Sequence, residues 1–393
     1  MFTILPIKGY IDQIDGFFCD GIHAGLKANN ALDLGFIYSD TLCDVEAIFT
    51  ENKFQAAPLK HYLMYEKDFK TNFVLINSKN ANALTGKKGI ENINTVFASL
   101  PFELTNPIMS STGVIANPLP VEKIVNGAKT FNLSAKNGEN LSKAIMTTDA
   151  YSKTSMYEVK LEDGSSFKIG SVAKGAGMIN PNLATMLCFI CTDAAVPKED
   201  MKEALKLNSQ TTFNAISVDG DTSTNDTVLL LTNKKSNAYN KEAFFEALRM
   251  VMHDMAMLMV ADGEGAKKAV AFEVKNAATY EEAQKAAKAL SNSLLVKTAL
   301  FGEDPNFGRI ASTIGASRIT CDEDKLIISY NDVIVYKEGE IFFDKEQEAK
   351  AASVLQNDKF KIVCDLGVGT YNFTAYGCDL GYKYVEINAD YRT

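Results

Sequence analysis

The 393-residue chain is 46% hydrophobic and 23% charged, the mix of a globular protein long enough for two or three domains. Its formal charge of −9 at pH 7 argues against the basic face that a nucleic-acid or anionic-membrane partner requires. Seven scattered cysteines, an odd number, fit reduced thiols in the cytoplasm better than a disulfide framework.

The opening stretch MFTILPIKGYIDQIDGFFCDG has no basic segment ahead of a long apolar core, so it reads neither as a secretory signal nor as a membrane span. The next region reads as short strands (FIYSD, EAIFT, FVLIN, TVFAS) separated by polar turns, with helical segments between. LPVEKIVNGAKTF opens on Pro120 and spaces Val121, Ile124 and Val125 at helical intervals. SSFKIGSVAKGAG is a strand running into a glycine-rich loop. LATMLCFICTDA is a nearly continuous apolar run, as expected of a strand buried on both faces.

KEDMKEALKLNSQTTFNAI and KEAFFEALRMVMHDMAMLMVADGEG read as amphipathic helices, and YEEAQKAAKALSNSLLVKTALFG from Tyr280 as one more. Beyond it come the strands KLIISY, DVIVYK and EIFF, the helix KEQEAKAASVLQ, the strand KFKIVCDLG and a terminal pair of strands ending at Thr393. Strands alternating with helices predict a mixed α/β or α+β protein, with a domain boundary near 270–280.

Several chemical patterns fail. The chain has neither a GxSxG elbow nor a GxxxxGK[ST] phosphate loop. Cys188 and Cys191 form a CxxC inside the apolar run, with no second pair of ligands to complete a zinc site. VDGDTSTNDT crowds Asp219, Asp221 and Asp226, but it lacks the spacing of a calcium loop and reads better as a turn dense in side-chain-to-backbone hydrogen bonds. The three histidines, His23, His61 and His253, belong to no recognisable triad, and His253 lies on a Met-rich helix where a packing role suffices.

Thr185 stands at the mouth of the apolar run. Threonine is a good strand residue there, and its methyl packs well. Its hydroxyl is a poor nucleophile without a base, and histidine is scarce. Cutting the Ala184–Thr185 bond would supply one: the new α-amine, with a pKa of about 7.7–8.0, lies within reach of its own Oγ.

The segment AKGAGMINPNLATML, with FICTDA after it, closely resembles the self-cleavage region of the ornithine acetyltransferase family of arginine biosynthesis, also called glutamate N-acetyltransferases. The match continues in order through GIHAGLK, NSKNANALTG, SSTGVIANPLP, MTTDA, VDGDTSTNDT, DGEGAKK, GEDPNFGRI and INADYRT, and so spans essentially the whole chain.

The resemblance implies an N-terminal-nucleophile-like layered sandwich with an additional C-terminal α/β domain. The precursor would cut itself into an alpha chain, 1–184, and a beta chain, 185–393, with a C-terminal subdomain over 280–393. Two chains of each kind would form a heterotetramer. By its match Thr185 is the acyl acceptor, and Thr112 and Gly113 form the oxyanion hole. Thr148, Lys174, Thr185, Glu264, Asn388 and Thr393 match substrate-binding positions. An amino-acid substrate calls for a cation such as Lys174 and an anion such as Glu264, and which group meets which stays open. The implied reaction moves acetyl from N2-acetyl-ornithine to glutamate through acetyl-Thr185, in the cytoplasm, with no metal or organic cofactor. Acetyl-CoA is a second donor in some members.

The family pattern has glycine where Lys79 and Ala116 stand and threonine where Lys267 stands. Lys267, three residues from Glu264, is the departure expected to alter the pocket. Two rivals remain on the same motifs: a self-processing aminopeptidase or amidase, in which water resolves the acyl-enzyme, and an uncleaved binding relative.

Overall fold

The computed structural model of the chain describes residues 1–180 and 186–390. Its first sheet holds β1 (Phe2–Pro6), β2 (Phe17–Ile22), β3 (Leu34–Phe49), β4 (Lys70–Asn77), β5 (Ile108–Ser111), β6 (Lys153–Leu161), β7 (Ser166–Lys174), β8 (Leu187–Thr192) and β9 (Thr227–Thr232). They run in the order β1-β6-β7-β8-β9-β3-β4-β5, with β2 on β3. The second sheet holds β10 (Ala269–Ala277), β11 (Ile327–Tyr330), β12 (Val333–Lys337), β13 (Glu340–Ile341), β14 (Lys359–Asp365) and β15 (Tyr371–Cys378).

The helices are α1 (Ala57–Tyr62), α2 (Gly86–Ala98), α3 (Val121–Ala128), α4 (Gly138–Ile145), α5 (Lys198–Thr211), α6 (Lys241–Ala261), α7 (Tyr280–Asn292), α8 (Leu294–Phe301), α9 (Phe307–Ala316), α10 (Lys345–Leu355) and α11 (Tyr382–Asp390). The expected mixed α/β architecture is the one the chain adopts. Among the described residues no helix is long and apolar enough to cross a membrane.

The first sheet folds over on itself at β3. That strand pairs with β4 through Tyr38, loses register, and resumes at Cys43 before pairing with β9 along Asp44–Phe49. The break lets one half of the sheet cover the other. Ile37, Val74 and Ile76 from one half pack with Val172, Phe189 and Leu229 from the other in a core between them. Outside one half, Phe36, Phe73 and Leu75 meet α2 and α3 through Ile93, Val96 and Ile124. Outside the other, Cys188, Ile190 and Leu230 meet the apolar face of α6. The result is a helix–sheet–sheet–helix sandwich. Alternate residues of β8 thus enter different cores, which is why its sequence is apolar throughout.

Four elements differ from their sequence reading, the first being FIYSD and EAIFT, expected as separate strands, which both lie in the single strand β3, Thr50 excepted. TVFAS, expected as a strand, is the end of α2: Gly89, Ile93 and Val96 are its buried residues, a helical spacing that overrides the β-branched composition. The helix expected from Tyr280 is two, because Ser293 is extended (φ −67°, ψ 113°) and accepts from the Val296 amide as N-cap of α8. The terminal pair of strands is β15 followed by helix α11, whose Tyr384 and Asn388, four apart, face one cleft. Residues 391–393 lie outside the described set.

Candidate active site

Strand ends converge where the two halves of the folded sheet meet. Lys174, last in β7, pairs with Leu187, first in β8, and Leu187 pairs in parallel with Thr227 of β9. The Met186 carbonyl accepts from the Thr227 amide (2.8 Å). From the other half, β5 ends at Ser111 and delivers Thr112. These ends, with the turns after α4 and α6 and with helix α11, enclose a cleft of about 210 Å³.

Of the residues singled out in the sequence, Thr112, Gly113, Thr148, Lys174, Glu264 and Asn388 all line this cleft. Ala184, Thr185 and Thr393 lie outside the described residues. Met186, which follows Thr185 directly, lines the cleft.

The Thr112–Gly113 segment is fixed by its backbone. The Thr112 amide donates to Asn77 O (3.0 Å) and the Val114 amide to Lys79 O (3.2 Å). Gly113 has φ +129°, and a Cβ there would stand 2.3 Å from the Lys79 carbonyl carbon, so only glycine fits. Ser111 Oγ donates to Asn77 Oδ1 (2.6 Å). Asn225 Nδ2 donates to Ala81 O (2.6 Å) and Ser111 O (2.9 Å), tying VDGDTSTNDT to this wall. That segment is the hydrogen-bonded turn expected: Asp219 also accepts from the amides of Met178 (2.6 Å) and Ile179 (2.9 Å). Among the described residues no cluster of three or more His, Cys, Asp or Glu could hold a metal.

Electrostatics centre on Lys174, whose Nζ donates to Thr112 Oγ1 at 3.1 Å. Burial pushes its ammonium below the usual lysine range, and Asp149, Asp226 and Glu264 oppose that push. Burial would raise Asp149, but Lys153 and Lys174 outweigh it and hold the carboxyl at about 2. Burial pushes Asp262 up, against the ammonium of Lys153. Glu264, buried, accepts from Asn388 Nδ2 (2.6 Å), which brings α11 to the cleft. Tyr384 Oη donates to Asp219 (3.3 Å) on the same side.

The remaining readings resolve simply. Lys267 does not line the cleft; its ammonium stands 5.3 Å above the Phe301 ring. The departures at Lys79 and Ala116 both sit at positive φ, +73° and +62°, where glycine is the least strained choice. Cys188 and Cys191 point into different cores and cannot share a ligand. None of the three histidines lines the cleft. Asn77, Asp149, Asn225 and Tyr384 were missed as individual residues. All but Tyr384 lie in segments that had been quoted, and a buried polar side chain inside a glycine-rich or threonine-rich turn was the available signal.

The ArgJ family model matches residues 18–393. The chain is 58% identical over 396 aligned residues, covering both chains completely, to the Arginine biosynthesis bifunctional protein ArgJ of Wolinella succinogenes. It is 39% identical to the Glutamate N-acetyltransferase of Methanopyrus kandleri, over 96% of this chain and 99% of that one. Among solved structures, the Arginine biosynthesis bifunctional protein argJ of Bacillus halodurans matches at 37% identity and TM-score 0.50, over 53% of this chain and all of that chain.

Proposed function

The chain belongs to the ArgJ family, and from that membership we propose that it is a glutamate N-acetyltransferase of arginine biosynthesis, moving acetyl from N2-acetyl-ornithine to glutamate. The observation that carries this reading is the cleft itself. Thr112, Gly113, Thr148, Lys174, Glu264 and Asn388 come from five separate stretches of chain and meet beside Met186.

The precursor cuts itself between Ala184 and Thr185. Thr185 Oγ attacks the Ala184 carbonyl, and water opens the resulting ester, leaving Thr185 with a free α-amine. The cut separates β7 from β8. The nine-stranded sheet then takes β1–β7 from one chain and β8 and β9 from the other, inserted between β7 and β3, so the two chains stay together. The Bacillus halodurans chain, matched over its whole length, spans as large a share of this chain as residues 185–393 make up, which supports the cut. Residues 280–393, with most of the second sheet, form a C-terminal subdomain. Two chains of each kind assemble as a heterotetramer in the cytoplasm.

In turnover the Thr185 α-amine takes the Oγ proton as Oγ attacks the acetyl carbonyl of N2-acetyl-ornithine. The Thr112 hydroxyl and the Gly113 amide stabilise the tetrahedral oxyanion. The amine returns the proton to the departing α-amino group, and ornithine leaves. Glutamate's α-amine then attacks the acetyl ester and carries the acetyl group away. Lys174 and Glu264 offer opposite charges to the two amino acids, Thr148 and Asn388 complete the wall, and Thr393 is assigned to substrate binding by its family match alone. Acetyl-CoA serves as a second donor, in keeping with the word bifunctional in the names of relatives. Supplying acetyl-ornithine and acetyl-CoA in parallel, with and without glutamate, tests the reading. Acetylglutamate formed from acetyl-ornithine supports it, and free acetate as the only product favours an amidase.

A further inference from the structure

Asp149 has no part in the steps above, yet its carboxylate is buried and engaged on both oxygens. Oδ1 accepts from Lys153 Nζ (2.7 Å) and from the Gly175 amide (2.7 Å), and Oδ2 from the Thr147 amide (2.9 Å). The Lys153 ammonium, 0% exposed, also holds Asp262 Oδ2 at 2.5 Å. These bonds fasten three segments that each bring a side chain to the cleft: the turn with Thr148, the end of β7 with Lys174, and the turn after α6 with Glu264. Two carboxylates on one ammonium leave this trio with an excess negative charge, and Lys174 faces it.

Lys174 in turn donates to Thr112 Oγ1. A hydroxyl oxygen that accepts from an ammonium keeps its own proton to give elsewhere and gives it more strongly, because hydrogen bonds in a chain polarise one another. We propose that Lys174 acts on the reaction through Thr112, strengthening the oxyanion-hole hydroxyl, and that Asp149 is the positioning residue that keeps Lys174 charged and aimed there. The inference rests on the acetyltransferase reading. The charged groups facing Lys174 are Asp149 and Lys153 around the start of β6, Asp226 before β9, Glu264 after α6, and Lys27 in the loop after β2.

The test is a double-mutant cycle of Thr112→Ala and Lys174→Met, read on kcat with acetyl-ornithine and saturating glutamate, alongside the pH profile of Asp149→Asn. Each single variant is expected to lose about 10²–10³ in kcat, the scale of one oxyanion donor. The double variant should fall less than tenfold below the worse single, since Lys174 acts through the hydroxyl that Thr112→Ala already lacks. Losses that multiply would overturn the role of Lys174 through Thr112.

Asp149→Asn should bring the alkaline limb of kcat to lower pH, because Lys174 loses the charge that keeps it protonated, while Lys174→Met loses that limb. A profile lowered in parallel, with its limb unmoved, would mark Asp149 as merely structural. Should Asp149→Asn fail to fold, Lys153→Met serves instead. It removes a charge that repels Lys174 and should move the limb to higher pH, and movement to lower pH would overturn the proposal. An enzyme that releases only acetate would refute the acetyltransferase reading and leave the cycle readable on the hydrolysis rate.

Discussion

Lys174 and Thr112 share a hydrogen bond of 3.1 Å although β7, which ends at Lys174, and β5, which ends one residue before Thr112, stand five places apart in one sheet. The contact exists because β3 breaks register between Tyr38 and Cys43 and folds the sheet over. Function therefore depends on that bend. Thr112→Ala should lower kcat by about 10²–10³. The proposed autocleavage would pass through a similar oxyanion, so processing should slow as well. Timed denaturing gels and steady-state assays on one preparation check both.

Backbone strain gives a pair of opposite outcomes. Gly113→Ala forces a Cβ against the Lys79–Asn80 backbone at φ +129° and should cost at least about 1–3 kcal/mol, with transfer lost. Ala116→Gly removes about 1–2 kcal/mol of left-handed strain at φ +62° and returns about 0.4–1 kcal/mol as unfolded-state entropy. It should therefore stabilise slightly. Urea melts of the two variants should move in opposite directions.

The base predicts a pH dependence that ignores histidine. Burial pushes His61 and His253 below the usual histidine range, and neither lines the cleft. The rate should rise as the Thr185 α-amine deprotonates, and that limb should survive replacement of His23, His61 or His253 in turn. Loss of the limb in any single variant would remove the amine as base.

Asp149 sets an acid-side signature in stability. Its folded pKa of about 2 lies below its unfolded value, so its contribution is complete above about pH 4 and disappears as the pH falls through about 2. The shift corresponds to about 2 kcal/mol. The stability gap between wild type and Asp149→Asn should therefore be widest near neutrality and narrow between about pH 4 and pH 2 in chemical melts.

Much of this was legible in the sequence, but unevenly. The apolar run of β8 and the periodicity of α6 announce themselves because burial dictates every residue in them. The cleft residues came from motif resemblance, since Thr148 or Asn388 looks ordinary until the fold brings it beside Glu264. TVFAS was misread because Thr95, Val96 and Phe97 are β-branched or aromatic, while the helical spacing begins earlier, at Gly89 and Ile93. The Asp149–Lys153–Asp262 trio was invisible because Asp262 lies 109 residues from Lys153 and only burial makes their charges matter.

The most direct measurement is the mass of the denatured protein after brief exposure to acetyl-ornithine without glutamate. The account predicts two chains of 184 and 209 residues, about 20 and 23 kDa. The longer should begin at Thr185 and carry one acetyl group on that residue, which disappears when glutamate is added as acetylglutamate forms. Thr185→Ala should give a single uncut 43.0 kDa chain with no acetyl adduct, and Thr185→Ser some of each activity. An active enzyme of full-length chain, or an acetyl group resting on any residue other than Thr185, would contradict the account.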